Sequence, residues 1–114
     1  MNAVEIEEAI STLAGQSYDA AEFPYVFLQA FGNKETTIKR LRAAGGSNKS
    51  DLGGVLQANN IHMKTCAGGE ATATLAALRS SPATTRAKAK FILATDGVEF
   101  QAEDLTSGEA VICP

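Results

Sequence analysis

The sequence predicts one α/β domain, in which N-terminal helices precede a mixed sheet with a helix packed on it. Three observations carry this. Apolar residues recur at helical spacing over residues 4–43. After residue 50 the pattern reads strand, strand, helix, strand, strand, the order of a small α/β core of mixed topology. Finally, 114 residues with 45% hydrophobic content can bury one core and leave no room for a second.

Ile6, Ala9, Ile10 and Leu13 predict an amphipathic helix over 4–13 that ends near Gly15. Asp19 with Glu22 resembles a capping box, and Pro24 fits a first helical turn. Phe23, Val26, Phe27, Ala30 and Phe31 then form the core face of a second helix, stopped by Gly32. Residues 35–43 predict a third helix with Ile38 and Leu41 inside and Lys39, Arg40 and Arg42 outside, ended by Gly45 and Gly46. Residues 45–50 read as a flexible polar loop bearing Lys49. A phosphate-binding loop is excluded there, because Asn48 stands where glycine precedes the lysine and a helix, not a strand, comes before.

Val55 and Leu56 begin the first strand, and residues 61–66 the second, with the turn-forming Ala58, Asn59 and Asn60 between them. Gly68 and Gly69 break that strand. Residues 70–79 follow as a helix with Ala71, Leu75 and Leu78 on one face, closed by Ser80, Ser81 and Pro82. Residues 90–95 predict a central buried strand, Asp96 and Gly97 a hairpin turn, and Val98, Phe100 and Ala102 its alternating partner. Residues 109–113 predict a last strand.

The net charge of −3 hides a division along the chain. Residues 1–30 hold five acids and no base, and residues 91–114 repeat that count. All ten basic residues fall in 31–90 against Glu35, Asp51 and Glu70, a local balance of +7. Such segregation gives one block a positive field within an acidic protein. Lys39, Arg40, Arg42 and Lys49 are the first candidates for contact with DNA phosphates; Lys34, Lys64, Arg79, Arg86, Lys88 and Lys90 extend the set. The alternative is that these charges sit on separate solvated faces and pair with the acidic ends. No apolar run is long enough to span a membrane, and the first residues lack a signal-peptide pattern, so the expected compartment is the cytoplasm. Cys66 and Cys113 are then expected to stay reduced, as small apolar side chains rather than metal or redox ligands.

One stretch carries chemistry. Asp51 and, about a dozen residues on, His62 and Lys64 have the spacing of a two-strand, metal-dependent nuclease site. There an acid and the residue two before the lysine hold a divalent cation, and the lysine steadies water or phosphate. His62 stands where that chemistry wants Asp or Glu. Magnesium prefers oxygen ligands, so a neutral imidazole replaces a carboxylate poorly. Glu70 is a candidate substitute acid, with helix-dipole complementation as its ordinary role.

Three segments together resemble the N-terminal domain of type IIL (MmeI-like) restriction-modification proteins and their class I DNA methyltransferase relatives. The first runs from Phe23 to Lys34 (Phe-Pro-Tyr-Val-Phe-Leu-Gln-Ala-Phe-Gly-Asn-Lys), the second from Asp51 to Lys64, and the third from Lys90 to Leu105 (Lys-Phe-Ile-Leu-Ala-Thr-Asp-Gly-Val-Glu-Phe-Gln-Ala-Glu-Asp-Leu). The resemblance implies a PD-(D/E)xK nuclease-like fold over residues 1–114. It implies Asp51 and Lys64 as the first acid and the lysine, with His62 in the position of the catalytic glutamate. It also implies a parent protein with an S-adenosylmethionine-dependent adenine methyltransferase domain and a target-recognition domain. No glycine-rich cofactor loop or adenine-binding Asn-Pro-Pro-Tyr motif occurs here, so this chain is expected to be an opening module or fragment that binds no cofactor and methylates nothing alone. Three readings stay open: a catalytically silent nuclease-like domain making DNA-backbone or interdomain contacts, an active magnesium-dependent endonuclease domain, and an interaction module that ignores nucleic acid.

Overall fold

The computed structural model describes residues 2–13, 17–43 and 45–113. Ten elements follow in order: α1 (Ala3–Leu13), α2 (Phe23–Ala30), α3 (Glu35–Arg42), β1 (Val55–Gln57), β2 (Ile61–Thr65), α4 (Ala71–Ser80), α5 (Pro82–Arg86), β3 (Phe91–Thr95), β4 (Phe100–Asp104) and β5 (Ala110–Cys113). The strands form one five-stranded sheet in the order β1-β2-β3-β4-β5. All pairs are antiparallel except β2 with β3, which are parallel and joined through α4 and α5. The predicted α/β class, with N-terminal helices before a mixed sheet carrying a packed helix, is the architecture found.

Strand alternation divides the side chains between the two faces of the sheet. One row, Val55, Met63, Leu93, Ala102 and Val111, follows the pairing register across all five strands and is buried throughout. It packs under α1, α2 and α3 through Ile6, Ile10, Phe27, Leu28, Ile38 and Leu41. On the other face Ile92 and Ala94 meet Leu75 and Leu78 of α4. The central strand β3 is therefore buried at every position, as its continuous apolar run requires.

Several expectations change in the structure. Helix α2 touches α1, α3 and β2 at once, so it buries Leu28 beside Phe27 and leaves Ala30 exposed. The expected capping box is not formed: Glu22 sits at the N-cap without a side-chain cap, because its carboxylate is held by Arg42. Asp19 instead accepts the Ala21 amide. The expected helix end near Gly15 lies outside the described residues. Pro82 does more than close α4, since it opens α5, with Ser81 as the N-cap accepting from the Thr84 amide.

Val98 is 77% exposed and lies before β4 rather than on it. The Asp96 carboxylate explains this: it accepts the amides of Val98 and Glu99 at 2.9 and 2.7 Å and so extends the turn. Its second oxygen accepts the Gly69 amide, tying the start of α4 to the hairpin. Gly97 is obligatory there: its φ is +93°, and a Cβ would lie 2.7 Å from the Tyr18 ring. The loop over 45–50 is tied down rather than loose. Asn48 accepts the Ser50 and Leu56 amides and donates to the Gly54 carbonyl, while the Lys49 amide donates to the Leu56 carbonyl.

Candidate functional site

Asp51, His62 and Lys64 occupy the α4–α5 side of the sheet. His62, in the middle of β2, is fully buried between two hydroxyls, with Nε2 2.8 Å from Ser50 Oγ and Nδ1 2.8 Å from Thr84 Oγ1. The proton positions follow from the neighbours. Thr84 donates its hydroxyl proton to the Leu78 carbonyl at 2.7 Å, so it accepts from Nδ1–H. Nε2 then carries a lone pair and accepts from Ser50. The Ser50 oxygen in turn accepts the amides of Leu52 and Gly54 at 3.3 and 3.0 Å. His62 is thereby a neutral imidazole with both nitrogens engaged, and burial holds its pKa below the ordinary imidazole value despite the opposing charge of Asp51.

Asp51 lies in the bend ahead of β1, not on a strand, and its side chain is exposed. Its carboxylate accepts the Ser81 hydroxyl at 2.6 Å. It thus tethers the junction of α4 and α5. The Ser81 hydroxyl is the first cause that holds the Asp51 pKa below the usual carboxylate value. Half-buried Lys64 shares the His62 face by strand alternation. Its ammonium stands over Gly53, 4.0 Å from where a Cβ would sit, and among the described residues it makes no ion pair with Asp51 within 4.0 Å.

This donor set does not suit a divalent cation. Among the described residues no three His, Cys, Asp or Glu side chains gather as a metal-holding group. Both His62 nitrogens already have partners, and Glu70 sits at the N-cap of α4 without entering such a group. Asp51 is left as a single carboxylate, already engaged by Ser81.

The candidate DNA-contact residues separate into different environments. Arg42 forms a bidentate pair with Glu22, at 2.6 and 2.8 Å, and lies 4.1 Å over the Tyr25 ring. Lys39 makes a loose pair with Glu35 at 3.7 Å on the exposed side of α3. Arg40 and Lys49 are both exposed and have no ion pair among the described residues. Of the wider set, Arg79 is held by Glu103 at 2.7 Å.

Sequence reasoning missed Ser50, Thr84 and the tether of Asp51 to Ser81. Ser81 before Pro82 carried a legible signal, an N-cap residue followed by proline at the first helical position. Nothing local marked Ser50 and Thr84, which meet His62 only across 12 and 22 residues of chain.

The fold and site define a three-layer α/β domain with a buried, fully bonded polar cluster around His62. The chain belongs to the family of MmeI N-terminal domains, whose model matches residues 1–113, and is thus a domain of the restriction-modification type. No curated protein and no solved structure matches it. No helix among the described residues is long and apolar enough to cross a membrane.

Proposed function

We propose that this domain is a catalytically silent, nuclease-like opening module of a DNA adenine methyltransferase of restriction-modification type. In this reading it contacts the DNA backbone, weakly and without sequence preference, or the methyltransferase and target-recognition domains of the same larger protein. S-adenosylmethionine serves the parent protein and has no site in this chain. In this reading Asp51, His62 and Lys64 keep the sequence spacing of a nuclease frame but act as structural groups. The observation that carries this is the pair of hydrogen bonds filling both His62 nitrogens, with Asp51 bound to the Ser81 hydroxyl. One tethered carboxylate does not position a metal and neutralise charge at a scissile phosphate.

The test is plasmid cleavage by the purified chain in magnesium or manganese. The expected outcome is no nicking, and no gain of metal binding in His62→Glu, because a carboxylate there would be buried beside the Ser50 and Thr84 hydroxyls with no second carboxylate gathered around it. Cleavage by the natural sequence that disappears in Asp51→Ala overturns silence and favours the active endonuclease.

A further inference from the structure

Three cations from two segments of the chain line one groove. Lys49 lies in the loop ahead of β1, Arg86 ends α5, and Lys88 follows it. The groove encloses about 460 Å³, with Ala83 and Ala87 among its lining and Asn59 contributed by the β1–β2 turn. Backbone hydrogen bonds hold its walls. The Lys49 amide donates to the Leu56 carbonyl at 3.0 Å, which lays the loop along β1, and the Asn59 amide donates to the Ala87 carbonyl at 2.8 Å, which fastens the turn to the end of α5. Lys88 has a φ of +57°, a conformation unfavourable for lysine that asparagine or glycine adopts more readily.

The charges here are unbalanced. No carboxylate lines the groove, and none of its three cations forms an ion pair among the described residues. Elsewhere on the surface Lys39, Arg42 and Arg79 all have carboxylate partners, at 3.7, 2.6 and 2.7 Å. Arg40 on α3 also lacks an ion pair, but only here do three such cations line one concave site without a lining carboxylate, an arrangement complementary to a polyanion. We infer that this groove seats the phosphodiester backbone of duplex DNA; the inference rests on the DNA-contact reading above and places that contact at the end of α5 rather than on α3. Duplex is favoured over single strand because no aromatic ring lines the groove to stack an unpaired base. Contacts of this kind position a duplex without reading its sequence.

The experiment is a fluorescence-anisotropy titration of the 114-residue chain with a short labelled duplex across a salt series. It compares the natural chain, a groove variant (Lys49→Gln, Arg86→Gln, Lys88→Asn) and an α3 variant (Lys39→Gln, Arg40→Gln). Asparagine at 88 suits the left-handed backbone. A second groove variant, Lys49→Glu with Arg86→Glu, leaves that turn untouched, and thermal melts check that each chain folds. The groove variants are expected to lose about tenfold or more in affinity at low salt. The log–log salt slope of the triple variant should become shallower by about 2–3, one phosphate contact per cation removed. The α3 variant should retain most of the affinity.

If the natural chain binds and the groove variants bind equally, the groove assignment falls while DNA contact stands. If the α3 variant loses as much as the groove variants, the contact is a diffuse field and the assignment also falls. No binding by the natural chain at low ionic strength overturns both the groove and the DNA-contact reading. Tighter binding of a single strand or of polyglutamate than of duplex would reassign the groove to that partner.

Discussion

The two faces of β2 are equally dry but are held by different physics. Ile61, His62 and Met63 are all fully buried. Ile61 and Met63 belong to the apolar cluster that also holds side chains of α1, α2 and α3, where an apolar residue of similar volume is tolerated at small cost. His62 meets a hydroxyl on each side, and each of those is itself bonded to backbone. An apolar face tolerates approximate partners, whereas a buried polar group needs specific ones, because an unmade hydrogen bond there leaves the full desolvation cost in place. Among the described residues no buried side-chain nitrogen or oxygen lacks a partner. The polar face is thus a completed network, which is also why it is poorly disposed to hold a metal.

The comparison can be broken from either side. Met63→Ala opens a cavity in the apolar face and is expected to destabilise by about 2–5 kcal/mol in denaturant unfolding, the range for large-to-small changes in a packed core. A cost well under about 1 kcal/mol would mean that α2 collapses onto the sheet and that the packing is less constrained than the geometry implies. Ser50→Ala attacks the other face. It leaves His62 Nε2 and the amides of Leu52 and Gly54 without their hydroxyl, at an expected cost of about 1–3 kcal/mol. If Ser50→Ala is neutral, the network is not what holds the Ser50 loop to β2 and α5.

The smallest effect is the pH dependence of that network. Burial keeps folded His62 neutral where an unfolded imidazole already binds a proton, so the unfolded chain takes up more protons as pH falls. Stability should therefore decline as pH drops below the ordinary imidazole value of 6.5. A second decline belongs to carboxylates with depressed values. Asp96, bonded by the Glu99, Gly69 and Val98 amides, is held down to about 2, and Asp51 and Asp104 are lowered too. Their contribution is present above the ordinary carboxylate value of 3.8 and is lost as pH falls toward 2. Urea midpoints measured from about pH 8 to 3 should show both declines, and His62→Gln should lack the upper one. A flat profile between about pH 7 and 5 in the natural chain would contradict a neutral, buried His62.

Much of the architecture was legible because it depends on local spacing. Ile6, Ile10, Ile38 and Leu41 sit at helical intervals, and residues 91–94 form an unbroken apolar run, so helices and the central strand could be read without knowing their partners. Asp96 and Gly97 marked the hairpin for a similarly local reason. Val98 was misplaced because the Asp96 side chain captures two amides that alternation alone would assign to the ladder.

The sequence by itself determined the α/β class, the helical and strand faces, the basic middle block and the resemblance that the family match bears out. Those features reside in periodicity, composition and wording, which do not depend on where the chain folds back. Only the tertiary structure decided which hydroxyls close around His62, which carboxylates neutralise Arg42 and Arg79, and that Lys49 joins Arg86 and Lys88 in one groove. Each of those outcomes brings together groups 12 or more residues apart in sequence. Electrostatic and hydrogen-bond partners are set by distance in space, and no local pattern records it.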